Sequence, residues 1–395
     1  MRIAVWWEQE SWGGVDTHLA TLLAVWPAAD RFTIFHNAAN PGVKRIAAVL
    51  AERRVELVAT PEWRRKDRSL VRRLFDYVFL PLHFWRWIRL AKSLLAEHGP
   101  FDAMIADNGS YPGAWTSLAA LGAAKQLGIA KRMLLVHHAA APYSAGRAWF
   151  ERAVDRAVQN WATDLVAVSR ATRETLVRLR AFDTERNPIR VIHNGIRLPA
   201  EPPTRAGLRQ SWGLKEGEIA LGMMGRIERY KGHEDVLLAV SELPEELRAR
   251  IRLIIVGEGA ADEKSRLRYM AERLDLAGQI VFTGYIDAPS PSIVSEFDLL
   301  ILATKDFEGF GLSAAEAMAV GTPVLATTVG GTTEFMSAET ALLVPPESPS
   351  DIARALEMHL RDPEAVRGRV HAARGAIANF SDVAMAARFH RLLTL

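Results

Sequence analysis

Short apolar runs alternate with amphipathic stretches along almost the whole chain, and this alternation leaves few folds open. In the first half the runs lie at residues 2–6, 32–36, 55–59, 103–107, 133–137 and 164–169. In the second half they lie at 219–225, 252–257, 280–284, 299–303, 324–327 and 341–344. They are near-continuous in Val, Ile and Leu, as strands buried on both faces of a helix-covered parallel sheet are. Two such series predict an α/β chain with two Rossmann-like, doubly wound parallel-sheet domains. The expected divisions are 1–198, 199–378 and a C-terminal helical piece, 379–395, packed near the junction. Pro199, Pro202 and Pro203 mark that junction as a stiff connection. Just before it, Asn194-Gly195 reads as a tight turn.

Bulk composition narrows the function classes. Of 395 residues, 49% are hydrophobic and 24% charged, an ordinary globular balance that lets each domain bury its own core. The chain has no cysteine, which excludes a disulfide framework, thiolate metal sites and a cysteine nucleophile, and suits a reducing cytoplasm. A net charge of +3 asks for no nucleic acid. The apolar start at residues 3–7 runs straight into Glu8 and Glu10, unlike a secretory signal. No run approaches the ~20 apolar residues of a membrane span. The expected location is the cytoplasm, in solution or peripherally on the inner face of the cytoplasmic membrane.

Two loops carry the chemistry. In FEGFGLSAAEAMAVGTPVLAT, residues 307–327, Glu308 and Glu316 stand eight positions apart around a glycine-broken turn that runs into a helix. Ser313 and Glu316 read as a capping box, and Gly321 with Pro323 as the stop. The loop carrying Glu308 would then lie against open N–H groups at a helix N-terminus, a ready anion site. The second loop, Gly225-Arg226 to Lys231-Gly232, follows the strand that opens the second domain. An arginine fork and a mobile lysine five residues apart suit a diphosphate; the plainer reading is a solvated basic turn.

The pattern E-x7-E followed by A-M-A-x-G-x-P-V resembles the retaining glycosyltransferases of family 4, whose fold is GT-B. The resemblance implies two Rossmann-like domains facing a central cleft, the first binding the acceptor and the second a nucleotide-diphospho-sugar. It also implies that the last helix crosses back to the first domain. Carried over, Glu308 lies by the donor sugar, Glu316 holds the ribose, and the backbone of Phe310, Gly311 and Leu312 meets sugar hydroxyls and diphosphate. Arg226 and Lys231 match the family's phosphate-binding pair. Gly257 and Gly259 match a pocket edge where the backbone approaches the donor. Tyr285 and Ile286 match the loop that holds the base through backbone groups, and Gly13-Gly14 a glycine pair near the donor phosphates or the acceptor.

The resemblance also places a histidine after the strand MLLVHH. Adjacent residues point to opposite faces, so only one of His137 and His138 faces the cleft, and the pattern H-x4-Y with Tyr143 favours His138. The catalytic candidates are therefore Glu308, His138, Arg226 and Lys231. Asp107, His137 and Tyr143 are candidates on the acceptor side; Asp107 either positions a hydroxyl or caps a turn. No metal-ligand cluster is legible and no cofactor is expected beyond the sugar nucleotide.

Residues 63–95 differ in character. Basic residues outnumber acidic ones from Arg64 to Lys92, Trp63, Trp85 and Trp87 are interleaved, and Pro81 splits two helical patterns. Such a segment suits an anionic membrane surface, or is an amphipathic helix packed on the sheet. The reading that gathers these features is a metal-independent hexosyltransferase using a UDP- or GDP-sugar. Its acceptor would be a glycan, lipid-linked or membrane-proximal, in envelope polysaccharide assembly. The alternatives are a sugar-nucleotide epimerase on the same fold and a non-catalytic sugar-nucleotide-binding protein.

Overall fold

A computed structural model describes residues 1–9, 12–40, 42–61, 79–200 and 207–395. The chain forms two compact units, Met1–Gly195 with Asp382–Leu395, and Ile196–Ser381. The division after Gly195 lies three residues before the expected one, and the C-terminal piece that joins the first unit begins at Asp382.

The first unit holds a seven-stranded parallel sheet in the order β3-β2-β1-β4-β5-β6-β7. Its strands are β1 (Arg2–Trp7), β2 (Arg31–Asn37), β3 (Val55–Thr60), β4 (Ala103–Asn108), β5 (Lys131–Val136), β6 (Asp164–Ala167) and β7 (Ile189–Val191). The short β7 has no counterpart among the predicted runs. It holds Arg190 between two apolar residues, too little pattern to stand out. Ile3 to Trp7 are all fully buried, so β1 is covered on both faces. Trp6 stacks on Phe35, while the indole N–H of Trp7 donates to Asp16. The C-terminal helix Asp382–Thr394 packs on the helix Gly14–Ala24.

The second unit holds a six-stranded parallel sheet in the order β10-β9-β8-β11-β12-β13. Its strands are β8 (Ile219–Met224), β9 (Ile251–Val256), β10 (Ile280–Gly284), β11 (Leu299–Leu302), β12 (Val324–Thr327) and β13 (Leu342–Val344). In both sheets the strand order reverses beside the first strand of the unit, so the loops after β1, β4, β8 and β11 flank the crevice where such sheets take ligands.

Three local expectations are corrected. Asn194-Gly195 is not a turn: Asn194 is buried, and the Gly195 N–H points to the sulfur of Met385 at 2.9 Å. Strand β5 ends at Val136, so His137 and His138 lie in the loop beyond it. The capping box at Ser313 does not form: Gly311, with φ +95°, is the N-cap of the helix Leu312–Val320, which puts Ser313 inside the first turn. Among the described residues, Pro81 stands in the first turn of the helix Leu80–His98, where its missing N–H costs no helical bond. The predicted helix N-terminal to it, with Trp63, lies outside the described residues.

Candidate active site

In the second unit the basic loop and the Glu308 loop meet at the C-terminal ends of β8 and β11. The backbone N–H of Lys305 donates to the Tyr230 carbonyl at 2.7 Å, tying the two loops together. Lys231 Nζ then lies 2.6 Å from Glu308 Oε2, and Thr304 Oγ1 donates to the same oxygen at 3.0 Å. Burial pulls the Lys231 ammonium down, but Glu308 and the Tyr230 phenol outweigh it and raise its pKa. The lysine is therefore a fixed cation. Arg226 is more exposed; its guanidinium bonds Glu228 Oε1 at 2.9 Å and faces the Tyr230 hydroxyl at 3.4 Å. A shallow depression open to solvent is lined by Gly225, Arg226, Lys231, His233 and Ala303 among others.

Beside this pair the helix Leu312–Val320 opens. The N–H groups of Leu312, Ser313 and Ala314 have no partner among the described residues, so their partial positive charge is available to an anion. The loop is held from behind. Gly331 N–H donates to the Glu308 carbonyl at 2.8 Å, and the Phe310 ring is buried, stacked on Phe335 at 4.8 Å. The Phe310 side chain is thus anchored in the core.

Glu316 turns away from the capping role toward the helix Ser290–Val294, where the Ser290 hydroxyl donates to its Oε2. Burial raises the Glu316 carboxyl to about 7, and the Ser290 hydrogen bond opposes that shift. Ser290 and the Gly330-Gly331 pair were not legible as site residues, since each acts on a partner far along the chain; Thr304, four residues before Glu308, carries no motif that marks it.

Gly257 and Gly259 lie against the basic loop. Gly257 has φ +138°, and a Cβ there would fall 1.9 Å from the Gly225 carbonyl oxygen; one on Gly259 would fall 2.5 Å from that of Ile227. The glycines make room for the neighbouring basic loop. Tyr285 is exposed and its N–H points to Glu258 Oε1 at 3.3 Å; Ile286, beside it, is half-buried.

In the first unit, Gly13 caps the helix Gly14–Ala24, and its N–H donates to Asp16 Oδ2 at 2.6 Å. The Gly13 N–H is thus taken by a carboxylate of its own turn. Asp16 is buried and also accepts from Trp7 Nε1 and Asn40 Nδ2; burial lifts its pKa to about 6 against these hydrogen bonds. The spacing G-G-x-D, an acid at the third helical position, was the signal that could have found it.

Asp107 and His137 are brought together: His137 Nε2 lies 2.6 Å from Asp107 Oδ1, both buried. His18 meets His137 edge-on at 4.7 Å, and burial, then His137, holds its pKa well below the histidine range. His138, the next residue, is half-buried. Tyr143 belongs to a different cluster. Its hydroxyl donates to the Arg180 carbonyl at 2.8 Å, and its ring lies under the Arg180 guanidinium at 4.3 Å. That guanidinium is fully buried between Glu151 and Asp155, while the Tyr111 hydroxyl donates to Asp155. No group of three or more His, Asp or Glu that could hold a metal occurs among the described residues.

A family model of "Glycosyl transferases group 1" matches residues 204–375, and one of "Glycosyltransferase Family 4" matches residues 12–198. The chain belongs to the group 1 and family 4 glycosyltransferases. As a GT-B glycosyltransferase by fold, it is 30% identical over 231 residues to the 2-deoxystreptamine glucosyltransferase of Streptomyces kanamyceticus, covering 56% of this chain and 59% of that one. It is 33% identical over 223 residues to a D-inositol 3-phosphate glycosyltransferase of a Nocardioides species, covering 53% and 48%. It spans about half the length of these curated relatives. Among solved structures, Anabaena HepE in complex with UDP and glucose superposes with a TM-score of 0.78 at 18% identity, covering 100% of this chain and 99% of that one. The sucrose-phosphate synthase of Thermosynechococcus elongatus gives 0.76 at 21% identity, covering 99% and 98%. At such identities these likenesses carry the fold.

Proposed function

We propose that this glycosyltransferase moves a hexosyl group from a nucleotide-diphospho-sugar to a hydroxyl, with retained anomeric configuration. The observation that carries the reading is the Lys231–Glu308 pair set beside the open N-terminus of the helix Leu312–Val320. Glycosyl transfer passes through an oxocarbenium-like state while the leaving diphosphate gains charge. Lys231, Arg226 and the N–H groups of Leu312 to Ala314 would stabilise that charge. Losing one such contact should raise the barrier by ~2.7–4 kcal/mol, by analogy with oxyanion donors. Glu308 would orient the donor sugar, and Glu316 would accept from the ribose. His138, with the Asp107–His137 pair, would serve the sugar and acceptor side.

UDP is the favoured nucleotide, because structural neighbours are complexes with UDP or UDP-glucose. The acceptor is proposed to be a lipid-linked or membrane-proximal glycan of envelope polysaccharide assembly. Cations and N–H donors would supply the electrostatics a metal gives elsewhere, so turnover should survive a chelator. The deciding experiment is thermal stabilisation by a panel of nucleoside diphosphates and their sugars. Stabilisation by UDP that is lost in Arg226→Ala supports the donor site; no response to any nucleotide refutes it. Proton NMR of the product's anomeric centre tests retention, and an inverted product refutes it.

A further inference from the structure

The helix Leu80–His98 of the first unit has two unlike faces. Leu80, Phe84, Ile88, Ala91 and Leu95 form one buried stripe in the core, against the helix Trp115–Gln126. The other face is exposed, but it is not the polar face of a solvated helix. Leu82 and Trp85 are each 56% exposed, and Arg86 and Arg89 are exposed between and beyond them at helical spacing. No acidic residue occurs from Leu80 to Ala96. Arg86, Arg89 and the half-buried Lys92 have no carboxylate partner among the described residues.

A neighbouring helix extends the same chemistry. The Phe84 ring meets Phe150 of the helix Ala148–Trp161 at 5.8 Å. Next to Phe150, Trp149 is 67% exposed. Each helix thus buries a phenylalanine at the contact and presents the adjoining tryptophan to solvent.

We propose that this face docks on an anionic lipid surface. Trp and Leu side chains standing among guanidinium groups fit the headgroup boundary, where the rings and aliphatic groups leave water and the cations meet phosphates. The long arginine stems cover apolar surface while their heads stay wet. A second copy of the chain is a poor occupant: a two-fold contact through this face would set the cations of one copy against those of the other. The inference goes beyond the transfer reaction, since lipid docking is read without turnover.

The test is co-sedimentation of the full chain with phosphatidylcholine vesicles, with and without phosphatidylglycerol, at low and high salt. Binding is expected only to the anionic vesicles and should weaken with salt. Arg86→Gln with Arg89→Gln should lower the partition coefficient by about 30-fold, at about 1 kcal/mol per charge. Leu82→Ser with Trp85→Ser should lower it as well. Unchanged melting temperature and nucleotide-induced stabilisation would certify the fold of each variant. The proposal is overturned by no binding to anionic vesicles at low salt, or by binding that survives both pairs of substitutions. It is overturned equally by vesicle-free self-association that the Leu82/Trp85 variant abolishes. Vesicle binding without any nucleotide response would uphold the docking while refuting the donor site.

Discussion

Lys231 Nζ and Glu308 Oε2 lie 2.6 Å apart, so the residues expected to meet the diphosphate and the adjoining sugar of a sugar nucleotide are themselves bonded to each other. Glu308 helps keep the lysine charged, and the contact holds both side chains in place, at 19% and 14% side-chain exposure. Thr304 adds a neutral donor to the same carboxylate oxygen.

Lys231→Ala should therefore act twice. It removes a charge-assisted bond worth about 1.5–3 kcal/mol, and it removes a cation from the diphosphate site. The expected result is a lower midpoint of urea unfolding together with a loss of nucleoside diphosphate binding by calorimetry. Adding Glu308→Gln should restore much of the stability without restoring binding. Full binding by Lys231→Ala alone would remove the lysine from the site.

Glu316 gives a pH signature. Its carboxyl is raised to about 7 in the folded chain from a reference of 4.5, so the native state binds the extra proton. Stability from this group is full below the unfolded pKa and falls as pH rises through about 7, by about 3 kcal/mol at most. Glu316→Gln should flatten that fall and be the more stable protein at pH 8, while binding nucleotide less well if the carboxylate takes the ribose. Parallel denaturation curves for both proteins across this pH range would contradict the burial argument.

Ser290→Ala removes the donor that opposes the shift. The pH midpoint of nucleotide binding should move upward in this variant, with little change in affinity well above it. Calorimetric titrations over a pH series measure this directly, and an unmoved midpoint would show that Ser290 does not set the ionisation of Glu316.

Arg180 predicts a purely structural loss. Arg180→Met would strip the buried Asp155 of its cation and leave Glu151 only its 3.6 Å pairing with Arg147, at a cost of about 3–5 kcal/mol. Chemical denaturation should show it, with nucleotide-induced stabilisation preserved in whatever fraction remains folded.

The parallel sheets were legible because a doubly buried strand announces itself in five or six consecutive residues. The site was legible in its residue types and not in its pairings. Lys231 and Glu308 are 77 positions apart, Ser290 and Glu316 are 26, and no local pattern couples them. The capping box failed for a local reason: Ser313-x-x-Glu316 fits the motif, but the positive φ of Gly311 starts the helix earlier. Asn194-Gly195 failed for a distant one. Its backbone is claimed by Met385, 190 residues later in the chain. Tyr143 was read from its spacing to His138, and its pairing with the buried Arg180, 37 positions on, was not legible.

The second unit starts and stops at the same spot. The Ile196 N–H donates to the Phe380 carbonyl at 2.9 Å, and Ile196 bridges Ser381. Residues 196–381 are thus a cassette whose two ends are already clasped. Excised, the segment would keep its termini together without a linker, and its native ends could be joined by a short peptide and new ones opened at a surface loop. Exchanged between members of this family at the same two points, it would carry the whole six-stranded unit as one heritable block.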